Sequence, residues 1–557
     1  MKFISTIKLA ILLITLFISN YTLRAQTENL SDNFAEFRHQ FDKNSLPVYT
    51  LKDTERSRDS SVYASIQSKP RFYANFESGR IGQIIFSATD TCTYSYDIHS
   101  AYDPINPIDT TVAASSRWFY FLITGVKGKK IAIQLHDTDP RAAVYSYDNT
   151  TWQRYDPQTE ATNERRLTKI YTRDSVYIAY YVPYTNSHLA QRMDEWQYRN
   201  GVRIFSMGKS FLGREMNMLV ITNDYIPDSE KKRVYIHGRV HPSETPCSWS
   251  LEGLIDYITG SSKEAYEIRN KMVFYILPFS NPDGVALGYS RCDAIGVNME
   301  INYDRPDSLT RPEVKNIKNF INTTTYGGNY LDMFLNFHSQ IAPHFTYWVH
   351  TPESTSENYF KELLTFSALT ISDSPYMNRE CLSFSKVASR YLEGYFWDNA
   401  KEKTLAITHE TPYCYYNKDE ESHWVTIDNL KEIGIKTLYA ICEYYGVSTS
   451  ERILLMPERN KKCYERSGEN YIYLGSNYLE AKKDKTNITY KRKELNKGEY
   501  KIYKWSVGKR QKVSDEGENV WIELETFRQE KNSKFEYSIT IDKGEKINAL
   551  LLVKQGD

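Results

Sequence analysis

Residues 234–244 read V-Y-I-H-G-R-V-H-P-S-E. A run rich in β-branched residues stops at His241, and Glu244 follows three positions later. Such a run predicts a buried strand, and the turn beyond it can aim an imidazole and a carboxylate at one ion. Zinc accepts both ligand types at ~2.0–2.2 Å. On its own the pair reads more readily as a surface His and Glu beside a helix start, and it is the rest of the chain that reverses this. The next residues predict that helix. Thr245 suits its cap and Pro246 its first position. Leu251, Leu254, Ile255 and Ile258 then form one apolar face, and Gly260 ends it.

Three more apolar runs end in polar clusters. Residues 272–278 lead to Asn281-Pro282-Asp283-Gly284-Val285, residues 332–337 to His338-Ser339, and residues 404–408 to His409-Glu410. Ligands of open α/β sheets bind beyond the carboxyl ends of the strands, so clusters far apart in sequence can meet in one crevice. His241, Glu244 and His338 supply two imidazoles and a carboxylate, a catalytic zinc set that leaves one position for water. Glu410 is the candidate base, able to take a proton from that water and pass it to a leaving amine. His409 precedes it on the same run and therefore faces the other side of the sheet. Arg291, in the loop after residues 281–285, either stabilises an oxyanion or forms a salt bridge within its loop.

The chain has 557 residues, which predicts two or three domains. Lys+Arg and Asp+Glu are equal at 70 each, so no global charge points to nucleic acid or an anionic membrane. The 45 Tyr and 14% aromatic content favour packed β-rich domains over disorder. Met1-Lys2 and Lys8, the apolar residues 9–18 and a small residue at Ala25 read as an export signal, residues 1–25, cleaved near Ala25. The rival is a membrane anchor, but the run is short for a span of ~20 residues, and no other stretch is long enough. The expectation is a periplasmic or extracellular protein with no transmembrane segment after cleavage. Seven Cys, with no C-x-x-C pair, exclude a dense disulfide framework and leave at least one thiol unpaired.

Three folded regions follow. Residues 26–195 are expected to form an N-terminal β-sandwich, with strand-like runs at 116–126, 130–136, 144–147 and 175–184. Residues 196–447 alternate strands and helices, from a polar helix near 188–198 to a long last helix over 426–445 stopped by Gly446. They read as the α/β catalytic domain. Residues 448–557 return to strand-like runs at 471–474, 500–505, 520–527, 535–541 and 547–553 and read as a C-terminal β domain. That domain either binds a glycan or protein partner or only covers the catalytic domain.

R-V-H-P-S-E-T at 239–245, N-P-D-G-V at 281–285 with Gly288 and Arg291-Cys292, F-H-S at 337–339, and the late Glu410 closely resemble the zinc metallocarboxypeptidases of the carboxypeptidase A type. The set is most similar to their cytosolic-carboxypeptidase branch. F-E-S-G-R-I-G at 76–82, R-W-F-Y-F at 117–121, V-Y-S-Y-D at 144–148, T-W-Q-R-Y at 151–155 and A-Y-Y-V-P-Y-T at 179–185 resemble that branch's N-terminal domain. The resemblance spans roughly residues 71–447. It implies a carboxypeptidase-like mixed-sheet catalytic domain, one zinc ion and a metal-activated water. It also implies His241, Glu244 and His338 as zinc ligands, Glu410 as general acid/base and Arg291 as the carbonyl-polarising arginine.

One departure bears on substrate. After the arginine the family has Gly, an acidic residue and an Asn-Arg pair that holds the substrate's terminal carboxylate. Here G-V-N-M-E-I-N-Y at 296–303 puts Glu300 and Ile301 in the places of that pair. Losing the guanidinium removes a grip worth ~1.5–3 kcal/mol. Either Glu300 reads a cationic or amine-bearing group, or the cleft takes substrates without a free terminal carboxylate. In the rival reading Arg305 or Arg311 restores the charge. Tyr391 and Tyr395 are candidates for the family's mobile active-site tyrosine. The expected function is a secreted zinc peptidase acting on peptides or modified peptides. The alternatives are an amidase on cell-wall or modified peptides, and a non-catalytic metal-containing binding protein, which has no need of Glu410.

Overall fold

The computed structural model describes residues 69–555, apart from 88–92, 140–142, 162, 164, 343–345, 372–375, 377–381, 419–420, 448–451, 456–463, 467–478, 482, 506–520, 545 and 548–549. Among the described residues no helix is long and apolar enough to cross a membrane. By compactness the chain forms two units of interleaved sequence. Among the described residues, one lies within 1–221, 237–245 and 275–323, the other within 222–236, 246–274 and 324–557.

The first unit opens with nine strands: β1 (Arg71–Tyr73), β2 (Ile84–Phe86), β3 (Thr93–His99), β4 (Tyr120–Thr124), β5 (Lys130–His136), β6 (Val144–Ser146), β7 (Trp152–Arg154), β8 (Arg166–Ile170) and β9 (Ser175–Ala179). They make a five-stranded sheet, β1-β4-β9-β6-β7, and a four-stranded sheet, β2-β3-β5-β8. Phe72 on β1 meets Tyr96 on β3 edge-on at 4.9 Å, so the inner faces of the two sheets share one aromatic core. The pair β3–β5 runs parallel, with His99 opposite His136. The run at 116–126 yields only the five residues of β4, because the chain before Tyr120 is already committed to loop hydrogen bonds. The Trp118 N–H, for example, donates to Ser290 Oγ.

Helix Asn186–Trp196 follows, capped by the Thr185 hydroxyl on the His188 N–H. The α/β region then contributes β10 (Val202–Lys209), β11 (Glu215–Ile221), β12 (Lys232–Gly238), β13 (Met272–Leu277), β14 (Met333–Gln340), β15 (Thr346–His350), β16 (Leu382–Ser385) and β17 (Leu405–Pro412). Their order is β10-β11-β13-β12-β14-β17-β15-β16. The sheet is mixed: β14–β17 and β15–β16 are parallel, while β10–β11 and β15–β17 are antiparallel. The central strands are buried on both faces, which is why they read as continuous apolar runs rather than alternating ones.

In the second unit, helices Thr245–Ile258 and Ile427–Tyr444 cross closely. Gly434 lies so near the Ser250 carbonyl, and Gly253 so near that of Lys431, that neither position has room for a Cβ. The last helix has a capping box of Thr426 and Asn429. Beyond it, Ile488, Tyr490, Tyr500, Ile502, Leu550 and Leu552 form a separate apolar core within strands. Strand Thr486–Leu495 was not anticipated, because the polar residues that alternate with Ile488 and Tyr490, Asn487, Thr489 and Lys491, leave only a short apolar record. The run at 547–553 divides into Lys546–Ile547 and Leu550–Lys554, and that at 471–474 lies outside the described residues.

Candidate metal centre

The turn after β12 is built around Arg239. Its backbone is left-handed, at φ 57°, an arrangement that disfavours any residue with a side chain. Its guanidinium, 2% exposed, donates to the Pro242 carbonyl from Nε (3.0 Å) and Nη2 (2.5 Å), and to the Tyr184 carbonyl from Nη1 (2.9 Å). It also lies over the Phe279 ring at 4.8 Å. These contacts hold the backbone of 239–242 in a fixed course. Asn281 fixes the neighbouring loop: its Oδ1 caps the Gly284 N–H, and its Nδ2 donates to the carbonyls of Val240 and Cys292. Ser243 Oγ donates to the Ser290 carbonyl.

Four predicted residues meet on this frame. His241 Nδ1 is 2.8 Å from Glu244 Oε1, and His241 Nε2 is 3.1 Å from Glu300 Oε2. Arg291 Nη2 is 3.4 Å from Glu300 Oε2, and its Nη1 is 3.9 Å from Glu244 Oε1. His241 and Glu244 are buried and Glu300 partly so, while Arg291 keeps 39% of its side chain exposed. The other two arginines of the segment have carboxylate partners. Arg305 pairs with Asp109 at 3.3 Å, and Arg311 pairs with the buried Asp293 and lies over the Phe211 ring.

On β14 and β17, His338 stands in register with Glu410, and Phe337 with His409. Successive residues of a strand alternate faces, so His338 and Glu410 share one face and His409 takes the other. There its ring meets Phe337 and Tyr347, and burial drives its pKa well down, keeping the imidazole neutral. Two residues earlier on the His338 face, the buried Glu393 accepts from Asn336 Nδ2 at 2.9 Å and from the Thr408 hydroxyl, tying the two strands together. Tyr391 is the half-buried N-cap residue of helix Leu392–Ala400, and its hydroxyl accepts from Arg390. Tyr395 lies within that helix.

His241, Glu300 and His338 each offer one ligand atom, all within 4.8 Å of one another. Two imidazoles and a carboxylate, with no thiolate, make a donor set that fits zinc; calcium and magnesium prefer oxygen alone. Among the described residues, Cys247, Cys292, Cys414 and Cys442 are buried and take part in no disulfide. The sequence did not single out Arg239, Glu393 or Asp103, the last of which accepts the Ser290 and Arg291 N–H groups. Arg239 was visible inside the opening motif; Asp103 and Glu393 left no local signal.

Residues 188–393 match the family described as Zinc carboxypeptidase, and residues 72–181 match the Cytosolic carboxypeptidase N-terminal domain. Cytosolic carboxypeptidase 6 of Mus musculus is 29% identical over 275 residues, covering 45% of this chain and 49% of that protein. The Homo sapiens protein of the same name is 29% identical over 278 residues, covering 45% and 53%. The chain thus spans about half the length of the curated relatives it matches. A metallo-carboxypeptidase from Burkholderia cenocepacia shares the fold, with TM-score 0.57 and 23% identity over 68% of this chain and 99% of that one. The curated relatives are named cytosolic carboxypeptidases, and this overturns the expectation of a periplasmic or extracellular protein. Residues 1–25, on which that expectation rested, lie outside the described residues. The chain thus carries a zinc carboxypeptidase domain at residues 188–393 and, ahead of it at residues 72–181, the N-terminal domain found in cytosolic carboxypeptidases.

Proposed function

We propose that the protein is a zinc-dependent peptidase that hydrolyses amide bonds in peptides lacking a free carboxylate at the usual anchoring subsite. The observation that carries this reading is the placement of Glu244 and Glu300 on opposite nitrogens of His241. In the reading, His241, Glu244 and His338 would hold one zinc ion, His241 Nδ1 lying 2.8 Å from Glu244 Oε1. When bound, zinc polarises the scissile carbonyl and lowers the pKa of the attacking water. Glu300 Oε2 faces the other ring nitrogen of His241 at 3.1 Å as a charge partner and so favours one orientation of the ring. Glu410, on the His338 face of the sheet, takes the proton from the water and delivers it to the leaving amine. Arg291 turns its exposed guanidinium to the developing oxyanion.

The anchor argument follows from charge. Glu300 and Ile301 bring a carboxylate and an apolar side chain where the family has an amide and a guanidinium. Arg305 and Arg311, the nearby replacements in sequence, are engaged by Asp109 and Asp293. A terminal carboxylate placed beside Glu300 meets repulsion rather than a fork of donors. An amidase acting on modified peptides is the second reading, favoured by the same replacement.

The test measures metal content and turnover on wild type and Glu410→Gln, with paired peptides carrying free and amidated C-termini. The expectation is one zinc in both proteins, with kcat lower by about 10²–10⁴-fold in the variant and amidated peptides preferred. Strict dependence on a free carboxylate sinks the anchor argument. Wild type that takes up no zinc when it is supplied overturns the assignment.

A further inference from the structure

The loop between β3 and β4 of the N-terminal sandwich reaches the segment that carries Arg291 and Glu300. Asp103 Oδ1 accepts the Ser290 N–H and its Oδ2 the Arg291 N–H, both at 2.8 Å. The Trp118 N–H donates to Ser290 Oγ at 3.0 Å. Gly296, at φ 101°, lies against the carbonyls of Pro104 and Ile105, where a Cβ would come within 2.7 Å. Asp109 pairs with Arg305. The loop is itself braced: the Asp103 N–H donates to the Ser115 carbonyl, Arg80 Nη2 to the Tyr102 carbonyl, and the Tyr102 hydroxyl to Asp137.

Asp103 is 5% exposed. Burying a carboxylate is costly unless its oxygens are satisfied, and here both accept from consecutive backbone amides in a charge-assisted, two-point grip. Such a grip fixes the peptide plane from which the Arg291 side chain departs. Arg291 keeps an exposed, long and flexible side chain, so the direction of its Cα–Cβ bond decides which volume the guanidinium sweeps.

We propose that Asp103, from the N-terminal sandwich, is a positioning residue for the reaction: it holds the Arg291 backbone so that the guanidinium reaches the scissile carbonyl. The proposal rests on the role given to Arg291 above. It makes the N-terminal sandwich a working part of the active site rather than an appendage.

The experiment is a double-mutant cycle in the full-length protein with Asp103→Asn and Arg291→Ala, following kcat, KM, zinc content and melting temperature. Asp103→Asn keeps the shape but turns one acceptor into a donor facing an N–H. It is expected to lower kcat by about 10- to 100-fold, as small misplacements of a catalytic group do, with KM and zinc content little changed. In the Arg291→Ala background it is expected to have no further effect. A loss of kcat that is equal in both backgrounds, or no loss at all, overturns the proposal. An Arg291→Ala enzyme as active as wild type overturns the role of Arg291 itself, and that outcome is distinct from an impaired Arg291→Ala enzyme beside an unimpaired Asp103→Asn. Should Asp103→Asn fail to fold, Asp103→Glu keeps the charge and moves it by one methylene. Its kcat is expected to fall between wild type and Arg291→Ala, and a wild-type kcat overturns the proposal.

Discussion

Arg239 shows how much of the turn carrying His241 and Glu244 hangs on one buried side chain. It holds a left-handed backbone that costs roughly 1–2 kcal/mol, and its three donations to the carbonyls of Pro242 and Tyr184 offset that cost. Arg239→Met leaves those buried carbonyls without the donors. We expect a loss of about 2–4 kcal/mol in urea unfolding and zinc affinity lower by about 10- to 100-fold, because His241 and Glu244 lose their fixed turn. Unchanged zinc affinity would show that the turn is set by other contacts. Glu313 makes a second prediction. Burial pushes its carboxyl up to about 7 from an ordinary 4.5, with Asp283 and Asp293 adding repulsion. The folded protein therefore binds this proton more tightly than the unfolded chain. The stabilisation is fully present below pH 4.5 and is lost as pH rises through about 7, a change of roughly 3 kcal/mol. Stability curves of wild type and Glu313→Gln should diverge over that window, the variant lacking this decline; parallel curves would refute the assignment.

At the scale of elements, the crossing of helices Thr245–Ile258 and Ile427–Tyr444 reverses a usual rule. In an exposed helix, replacing Gly by Ala stabilises by roughly 1 kcal/mol. At Gly434 a Cβ would press into the Ser250 carbonyl of the other helix. Gly434→Ala is expected to destabilise by about 1–3 kcal/mol, seen as a lower melting temperature, and a rise would show that the helices separate freely. The strand pair β14–β17 works by register instead. Because His338 stands opposite Glu410, a one-residue slip would carry either residue to the face now held by Phe337 and His409. Glu393, bridging Asn336 and Thr408, braces that register.

Across the whole molecule, the metal is expected to act as a folding ligand. Two of the proposed ligands, His241 and Glu244, belong to a unit that also includes the N-terminal sandwich, so local order at the metal is tied to a large body of structure. Zinc at one hundred times its dissociation constant contributes about 2.7 kcal/mol to the folded state. Chelation should lower the melting temperature by several degrees, reversibly, and His241→Ala should abolish the response. A melting temperature indifferent to chelator would mean that these donors hold no metal.

The sequence by itself determined the secondary structure around the site and the residues that end its strands. The apolar runs before His241, His338 and Glu410 became β12, β14 and β17, within a few residues of the expected limits. His409 could be assigned to the far face because strand alternation is a property of the local chain. Helix Ile427–Tyr444 was legible as a long last helix over 426–445 stopped by Gly446. Tertiary structure alone decided the charge partners. Glu300 turned out to sit against His241 and Arg291, and Arg305 and Arg311 against Asp109 and Asp293. Asp103 reaches Arg291 across 188 residues of chain. Periodicity and capping are short-range and leave a record in neighbouring letters. A carboxylate chooses its partner by distance and desolvation in the folded protein, and nothing in the residues beside Asp103 or Glu300 encodes where another loop will come to rest.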